Sequence, residues 1–208
     1  HALHRTLISQ ATRKRTTDCS TALLSQQRRR SPGLVAERML EGLSIVIPAG
    51  PGDNAWQGLL PQLGSISARE IVLVRTGLDA PLTASLPEKV REIRSVTGRA
   101  RQLNAGAAAS TGDWLWFLHA DSRLTPQCPE ALTRFIAMDR DTIGYFDLRF
   151  LGDGPALTGI NTFGTWWRTR LFGMPFGDQG FLMSRRVFDA LGGFDECLPS
   201  AEDHALVW

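Results

Sequence analysis

Apolar positions along the chain gather into short runs, each closed by a polar or glycine-rich break. Leu43-Ser44-Ile45-Val46-Ile47 is β-branched and ends at Pro48-Ala49-Gly50-Pro51-Gly52, which predicts a strand followed by a turn. Residues 54–63 then read as a helix. Glu70 to Val74 predicts a second buried strand and Val90 to Ile93 a shorter one, with Gly77 and Pro81 in the loop between them. The small residues Ala105 to Ala109 predict a helix able to pack closely on a sheet, and Thr111-Gly112 stops it. Trp114-Leu115-Trp116-Phe117-Leu118 is continuously apolar, as a strand covered on both faces requires. Strands alternating with helices over residues 43–121 predict an α/β fold with a mainly parallel, doubly wound sheet. In such sheets ligands bind outside the carboxyl ends of the strands.

Composition narrows the picture. A chain of 208 residues suits one α/β domain and is too short for two large ones. No run approaches the roughly 18 apolar residues that a membrane span needs. Residues 1–41 hold 8 basic and 3 acidic groups, and residues 42–208 hold 15 and 18. The basic charge therefore belongs to the first segment, and an acidic body argues against nucleic acid as a partner. Residues 1–41, rich in Arg, Ser, Thr and Gln and containing Arg28-Arg29-Arg30, read as a disordered basic extension or a non-native upstream segment, dispensable for folding. Residues 42–208 form the expected domain, in halves of about 42–123 and 124–208. Cys19, Cys128 and Cys197 are odd in number and widely spaced, which predicts reduced thiols, a cytoplasmic setting and no thiolate metal site.

The chemistry-bearing residues follow from this layout. Asp121, with His119 and Ser122 beside it, comes directly after the most apolar strand and so projects toward the crevice, although a carboxylate in that position also serves ordinarily as a turn or cap. Arg99 and Arg101 stand before the small-residue helix with Asn104 and Gly106, where guanidinium forks and helix amides suit phosphate oxygens. Asp178 and Gln179 offer donors and acceptors to hydroxyl groups. Gly192-Gly193 predicts positive φ and Phe194 a core plug. Phe163, Trp166, Trp167, Leu171 and Phe172 recur at near-helical spacing with Arg168 and Arg170 between them. That pattern fits core packing or a lid, with an acceptor platform or peripheral membrane contact as the alternative.

Gly177-Asp178-Gln179-Gly180, Leu191-Gly192-Gly193-Phe194-Asp195-Glu196 and Ala201-Glu202-Asp203-His204 resemble, in order and spacing, the second half of family 2 glycosyltransferases of the nucleotide-diphospho-sugar transferase (GT-A-like) fold. Ile47-Pro48-Ala49, Gly98 to Gly106 and Phe117-Leu118-His119-Ala120-Asp121 are similar to the first half. Within that family the chain resembles a bacterial branch with His-Ala-Asp in place of Asp-x-Asp, associated with radical-enzyme and selenium-related gene neighbourhoods.

The resemblance implies transfer of a sugar from a nucleotide-diphospho-sugar to an acceptor hydroxyl with inversion, and a Mg²⁺ or Mn²⁺ ion. It implies that Asp121 holds the metal and that Pro48, Ala49, Asp53, Arg99, Asn104, His119 and Asp121 bind the nucleotide-sugar. Asp203 would be the catalytic base, and Asp178, Gln179 and Glu202 would bind the acceptor. The chain departs from the family at His119, where an acid usually stands, and at Arg75-Thr76-Gly77, where relatives carry an acid toward the nucleobase; Asp53 is the candidate substitute, with an ordinary turn Asp as the alternative. The resemblance also implies that the helix begun by Asp203 to Trp208 continues in relatives, so that the sequence reads as cut short. Two other readings remain open: a nucleotidyltransferase on a related fold, and a non-catalytic nucleotide-sugar-binding protein. The first usually needs a basic residue in the turn after the first strand, and Gly50-Pro51-Gly52-Asp53 has none.

Overall fold

A computed structural model describes residues 38–82, 85–146 and 180–197. The described residues form a six-stranded sheet flanked by helices. In chain order the elements are β1 (Leu43–Pro48), α1 (Trp56–Leu63), β2 (Glu70–Thr76), β3 (Val90–Ser95), α2 (Arg99–Ala109), β4 (Trp114–Phe117), α3 (Cys128–Ala137), β5 (Gly144–Tyr145), β6 (Phe181–Ser184) and α4 (Arg185–Leu191). The sheet order is β3-β2-β1-β4-β6-β5. Strands β1 to β4 are parallel, while β6 runs antiparallel to both β4 and β5.

The expected doubly wound sheet is therefore present, closed at one side by an antiparallel pair. One face packs on α1 and α3 through Leu59, Leu63, Leu132 and Phe135. The opposite face packs on α2 and α4 through Leu103, Ala107 and Phe188. Burial on both faces explains why β1, β2 and β4 read as unbroken apolar runs rather than alternating ones. Helix α2 lies close to the sheet because Gly106 carries no side chain. A Cβ there would come within 2.3 Å of Val46 Cγ1 and 2.9 Å of Val74 Cγ2.

Below the sheet, at the amino ends of β1 and β2, Glu70 ties three segments together. Its Oε1 accepts from Ser44 Oγ at 3.0 Å and from Thr111 N and Oγ1 at 2.6 and 2.8 Å, and its Oε2 accepts from Arg91 at 2.9 Å. Partial burial pushes this carboxyl up, but the bonds from Arg91, Thr111 and Ser44 outweigh it and hold Glu70 at about 2.

Some expected boundaries move. Residues 38–40 are helical and Leu40 is 4% exposed, packed among the core residues beneath β1, so the packed body begins before the expected break at 41/42. Strand β3 runs on to Ser95. Helix α2 starts at Arg99 rather than near Ala105, because Gly98 at φ 138° makes the turn that lets it begin. Arg99 and Arg101 thus sit in its first turn, not ahead of it. Of residues 1–41 only the last four are described, and the aromatic segment Phe163 to Phe172 lies outside the described residues. No helix among the described residues is long and apolar enough to cross a membrane.

Candidate functional site

Strand β1 occupies the point where strand order reverses, with β2 on one side and β4 on the other. The loops that leave the carboxyl ends of these strands separate there and open a crevice, which is where ligands bind in sheets of this kind. Pro48 closes β1, Arg75 and Thr76 close β2, and His119 to Asp121 follow β4.

The turn after β4 is built by its neighbours. Leu118 N donates to Val46 O at 2.9 Å and extends the strand pairing by one residue, and Ser122 N donates to His119 O at 3.1 Å and closes the turn. Ala120 is fully buried between two solvent-facing residues. His119 and Asp121 consequently rise on the same side, and His119 Nδ1 contacts Asp121 Oδ1 directly. Side-chain exposures of 38% and 69% leave both reachable from solvent. Among the described residues no group of three His, Cys, Asp or Glu side chains converges as a metal site. Two donors beside a crevice fit the way Mg²⁺ or Mn²⁺ is held, by one or two protein ligands completed by substrate phosphates and water.

The turn after β1 is rigid for a reason that the sequence concealed. Ala49, itself buried, donates through N to Val74 O at 2.9 Å, and its carbonyl accepts from Gln102 Nε2 at 2.7 Å. Gln102 also donates to Val74 O at 2.9 Å. A buried amide reaching up from α2 thus fixes the ends of both β1 and β2, and Pro48 and Ala49 form a floor beneath the turn. Asp79 supplies a second latch. Its carboxylate accepts from Gly52 N at 2.8 Å and from Thr76 N and Oγ1 at 2.9 Å each. The Gly52 bond, joined by those from Thr76 and the charge of Arg75, holds this carboxyl below its usual value against the opposing effect of desolvation.

Asp53 is engaged locally. Its Oδ1 accepts from Ala55 N at 2.8 Å, an Asx turn that starts α1, because a short carboxylate satisfies the nearest free amide first. Arg75, 7% exposed, donates to Ala80 O at 3.0 Å and pairs with Glu92 at 3.2 Å, while its Nε is buried without a partner. A cation therefore stands near the end of β2 where relatives carry an acid. Arg99 is half-buried in the first turn of α2, at the carboxyl end of β3, and is engaged with a neighbour.

Asn104 fastens the segment after α4 to α2. Its Nδ2 donates to Phe194 O and to Glu196 Oε1, both at 2.9 Å, and its Oδ1 accepts from Phe194 N at 2.9 Å. This two-way clamp fastens residues 192–196 to α2. Gly192 and Gly193 both have φ of 79°, as expected. A Cβ on Gly193 would lie 2.9 Å from Asn104 Oδ1, so the clamp requires glycine there. Phe194 fills the core and stands edge-on to Phe117 at 5.0 Å. Together Asn104 and residues 191–196 line an open cleft of about 500 Å³.

Cys128 is buried and pushed up to about 12 by desolvation, which keeps it protonated and out of metal or nucleophile chemistry. Asp178, Gln179, Glu202 and Asp203 lie outside the described residues. Gln102 and Asp79 were not singled out from sequence. A glutamine on the same stretch as the small residues, buried in α2, was the available signal for the first.

Sheet, switch point and the acid–imidazole turn after β4 define an α/β protein of the doubly wound, ligand-binding kind. A sequence model described as Glycosyl transferase family 2 matches residues 79–191, more than half of the 208; the chain belongs to that family. Among solved structures it is similar to S. aureus TarS residues 1–349 in complex with UDP-GlcNAc, at 15% identity and a TM-score of 0.59 over 79% of this chain and 52% of that one. It is also similar to the mannosyltransferase PcManGT from Pyrobaculum calidifontis in complex with GDP-Man and Mn²⁺, at 14% identity and a TM-score of 0.53 over 82% of this chain and 56% of that one. These likenesses establish the fold as GT-A-like, and the chain spans little more than half the length of either structure. No curated protein matches the chain.

Proposed function

We propose that this protein is a glycosyltransferase that moves a sugar from a nucleotide-diphospho-sugar to an acceptor hydroxyl by inverting single displacement, with a divalent ion at Asp121. The observation that carries the reading is the His119–Asp121 pair, raised by a closed turn into the switch-point crevice of a family 2 glycosyltransferase fold. Support for the donor class comes from TarS with UDP-GlcNAc and PcManGT with GDP-Man and Mn²⁺.

In this reading the loop held by Gln102 and Asp79 and the first turn of α2 with Arg99 receive the nucleoside diphosphate. Helix amides and a guanidinium suit phosphate oxygens. Asp121 would hold the ion, which when bound would supply positive charge to the departing diphosphate. Asp203, matched by resemblance alone, removes the acceptor proton as the bond to the anomeric carbon forms. Glu202, Asp178 and Gln179 hold the acceptor. Much of the rate then comes from keeping hydroxyl, anomeric carbon and leaving oxygen in line. The Asn104 clamp fixes residues 192–196, which precede Asp203 in the sequence. The proposal keeps, on the resemblance of His-Ala-Asp alone, the bacterial branch named above. A cytoplasmic setting, with peripheral membrane contact through Phe163 to Phe172, completes the proposal.

The test is release of nucleoside diphosphate from a panel of UDP- and GDP-sugars, with Mn²⁺ and with EDTA. Metal-dependent release that is lost in Asp121→Asn supports the proposal. Binding of a donor with no release under any condition favours a non-catalytic sugar-nucleotide-binding protein.

A further inference from the structure

Beside the crevice stands a cation that no other side chain holds. Among the described residues the Arg123 guanidinium has neither an ion pair nor a hydrogen bond, and the residue is exposed. Its backbone is nevertheless anchored. The turn of residues 119–122 closes ahead of it, and Leu124 N behind it donates to Gln62 Oε1 on α1 at 2.9 Å. From this anchored point the side chain lies across the first turn of α1. A Cβ on Gly58, the third residue of that helix, would meet Arg123 Nη1 at 3.2 Å and Nη2 at 3.7 Å. The absent side chain of Gly58 is thus the seat on which the guanidinium rests.

That seat is electrostatically poor for a cation. The amino end of a helix carries partial positive charge, and α1 has no acidic residue in its first turn and no side-chain cap. The nearest acid in the loop, Asp53, is committed to Ala55 N. A guanidinium and a helix amino end, held together in solvent and uncompensated, make a place for an anion. This place is separate from the one proposed for the donor. Helix α1 packs on one face of the sheet and α2 on the other, and the diphosphate is assigned to the first turn of α2. Gly180, which directly follows Asp178 and Gln179 in the sequence, packs on Leu118 just beyond β4, in the segment that leads to Arg123.

We infer that Arg123 receives an anionic group of the acceptor, a phosphate or a carboxylate, so that the acceptor is an anionic molecule rather than a neutral sugar. The inference rests on the proposed donor reading and adds an acceptor class to it. A guanidinium presents paired N–H donors in one plane, which match two oxygens of either group. With the anion in place, the repulsion between Arg123 and the helix end becomes a shared attraction. The anchored turn then holds the acceptor at a fixed reach from Asp121, which is the positioning that a single displacement requires.

Heteronuclear NMR of the ¹⁵N-labelled chain, saturated with UDP or GDP and Mg²⁺, tests this without relying on turnover. Glycerol 3-phosphate and glucuronate serve as the phosphate and carboxylate probes, titrated at constant ionic strength. The expected result is a saturable shift of the Gly58 and Leu124 amides with at least one probe. Its affinity should fall by roughly tenfold or more in Arg123→Gln, the scale of a charge-assisted hydrogen bond, and by less in Arg123→Lys. Gly58→Leu should lose the same response while its melting temperature holds or rises, since leucine is the better helix former, and this separates loss of the seat from loss of the fold. Affinity for the nucleotide should stay unchanged in all three variants. No shift with either probe, or a shift indifferent to Arg123→Gln, overturns the inference and leaves the donor reading intact. A comparable loss of UDP or GDP affinity in Arg123→Gln also overturns it, by giving the guanidinium to the donor diphosphate. Failure of both nucleotides to bind the wild-type chain removes the donor reading and this inference together.

Discussion

Replacing Glu70 with glutamine gives a stability change whose size and pH dependence follow from the structure. The carboxylate joins β1, β2, β3 and the segment entering β4 through Ser44, Arg91 and Thr111. Those bonds hold it at about 2, against an ordinary value of 4.5. At 1.36 kcal/mol per unit the difference sets a ceiling of about 3 kcal/mol. Arg91 is 46% exposed, so water screens its share, and about 1–2 kcal/mol is the expected effect. Because the folded-state value lies below the unfolded one, this stabilisation is complete above pH 4.5. It is lost as the pH falls toward about 2. Urea unfolding of wild type and Glu70→Gln, followed by circular dichroism at several pH values from 7 to 2, isolates the group, since every other acid is common to both proteins. The gap should be largest at neutral pH and close toward pH 2. A gap that stays constant down to pH 2, or none at pH 7, would refute the reasoning.

Three further outcomes follow. Gly106→Ala should destabilise in chemical denaturation, because the overpacking against Val46 and Val74 costs about 1–3 kcal/mol and outweighs the gain of about 1 kcal/mol in helix propensity; a stabilised variant would mean that α2 does not approach the sheet this closely. Asn104→Ala should raise amide exchange at Phe194 by roughly tenfold, the loss of about one hydrogen bond's worth of protection, and unchanged exchange would remove the clamp. Asp203→Asn should lower turnover by roughly 10² or more while donor affinity holds, and near wild-type turnover would transfer the role of base to another residue.

The strands were legible because a sheet buried on both faces demands unbroken apolar runs, and β1, β2 and β4 supply them. The antiparallel β6 was not legible, since Phe181 to Ser184 is four residues long and nothing in its composition signals direction. His119 and Asp121 were found because they interrupt the most apolar run in the chain. Gln102 and Asp79 were missed for the opposite reason. Each acts on backbone atoms of distant segments, Gln102 on Ala49 and Val74 and Asp79 on Gly52, and backbone partners leave no mark in a sequence. The clamp of Asn104 on Phe194 was not legible, because a resemblance to phosphate-binding positions says nothing about contacts to backbone atoms ninety residues away. For Asp53 the ordinary turn role weighed from sequence is present as the bond from Ala55 N.

The central claim is that the crevice beside β4 binds a nucleotide-sugar together with a divalent ion at Asp121. Thermal unfolding with a panel of UDP- and GDP-sugars, with and without Mn²⁺, tests it most directly, because a ligand selective for the folded state raises apparent stability with its concentration over its dissociation constant. The account predicts that at least one donor raises the melting temperature only when Mn²⁺ is present, and that Asp121→Asn abolishes the rise. A donor-induced rise that is unaffected by removing Mn²⁺, or that is retained in Asp121→Asn, would contradict it.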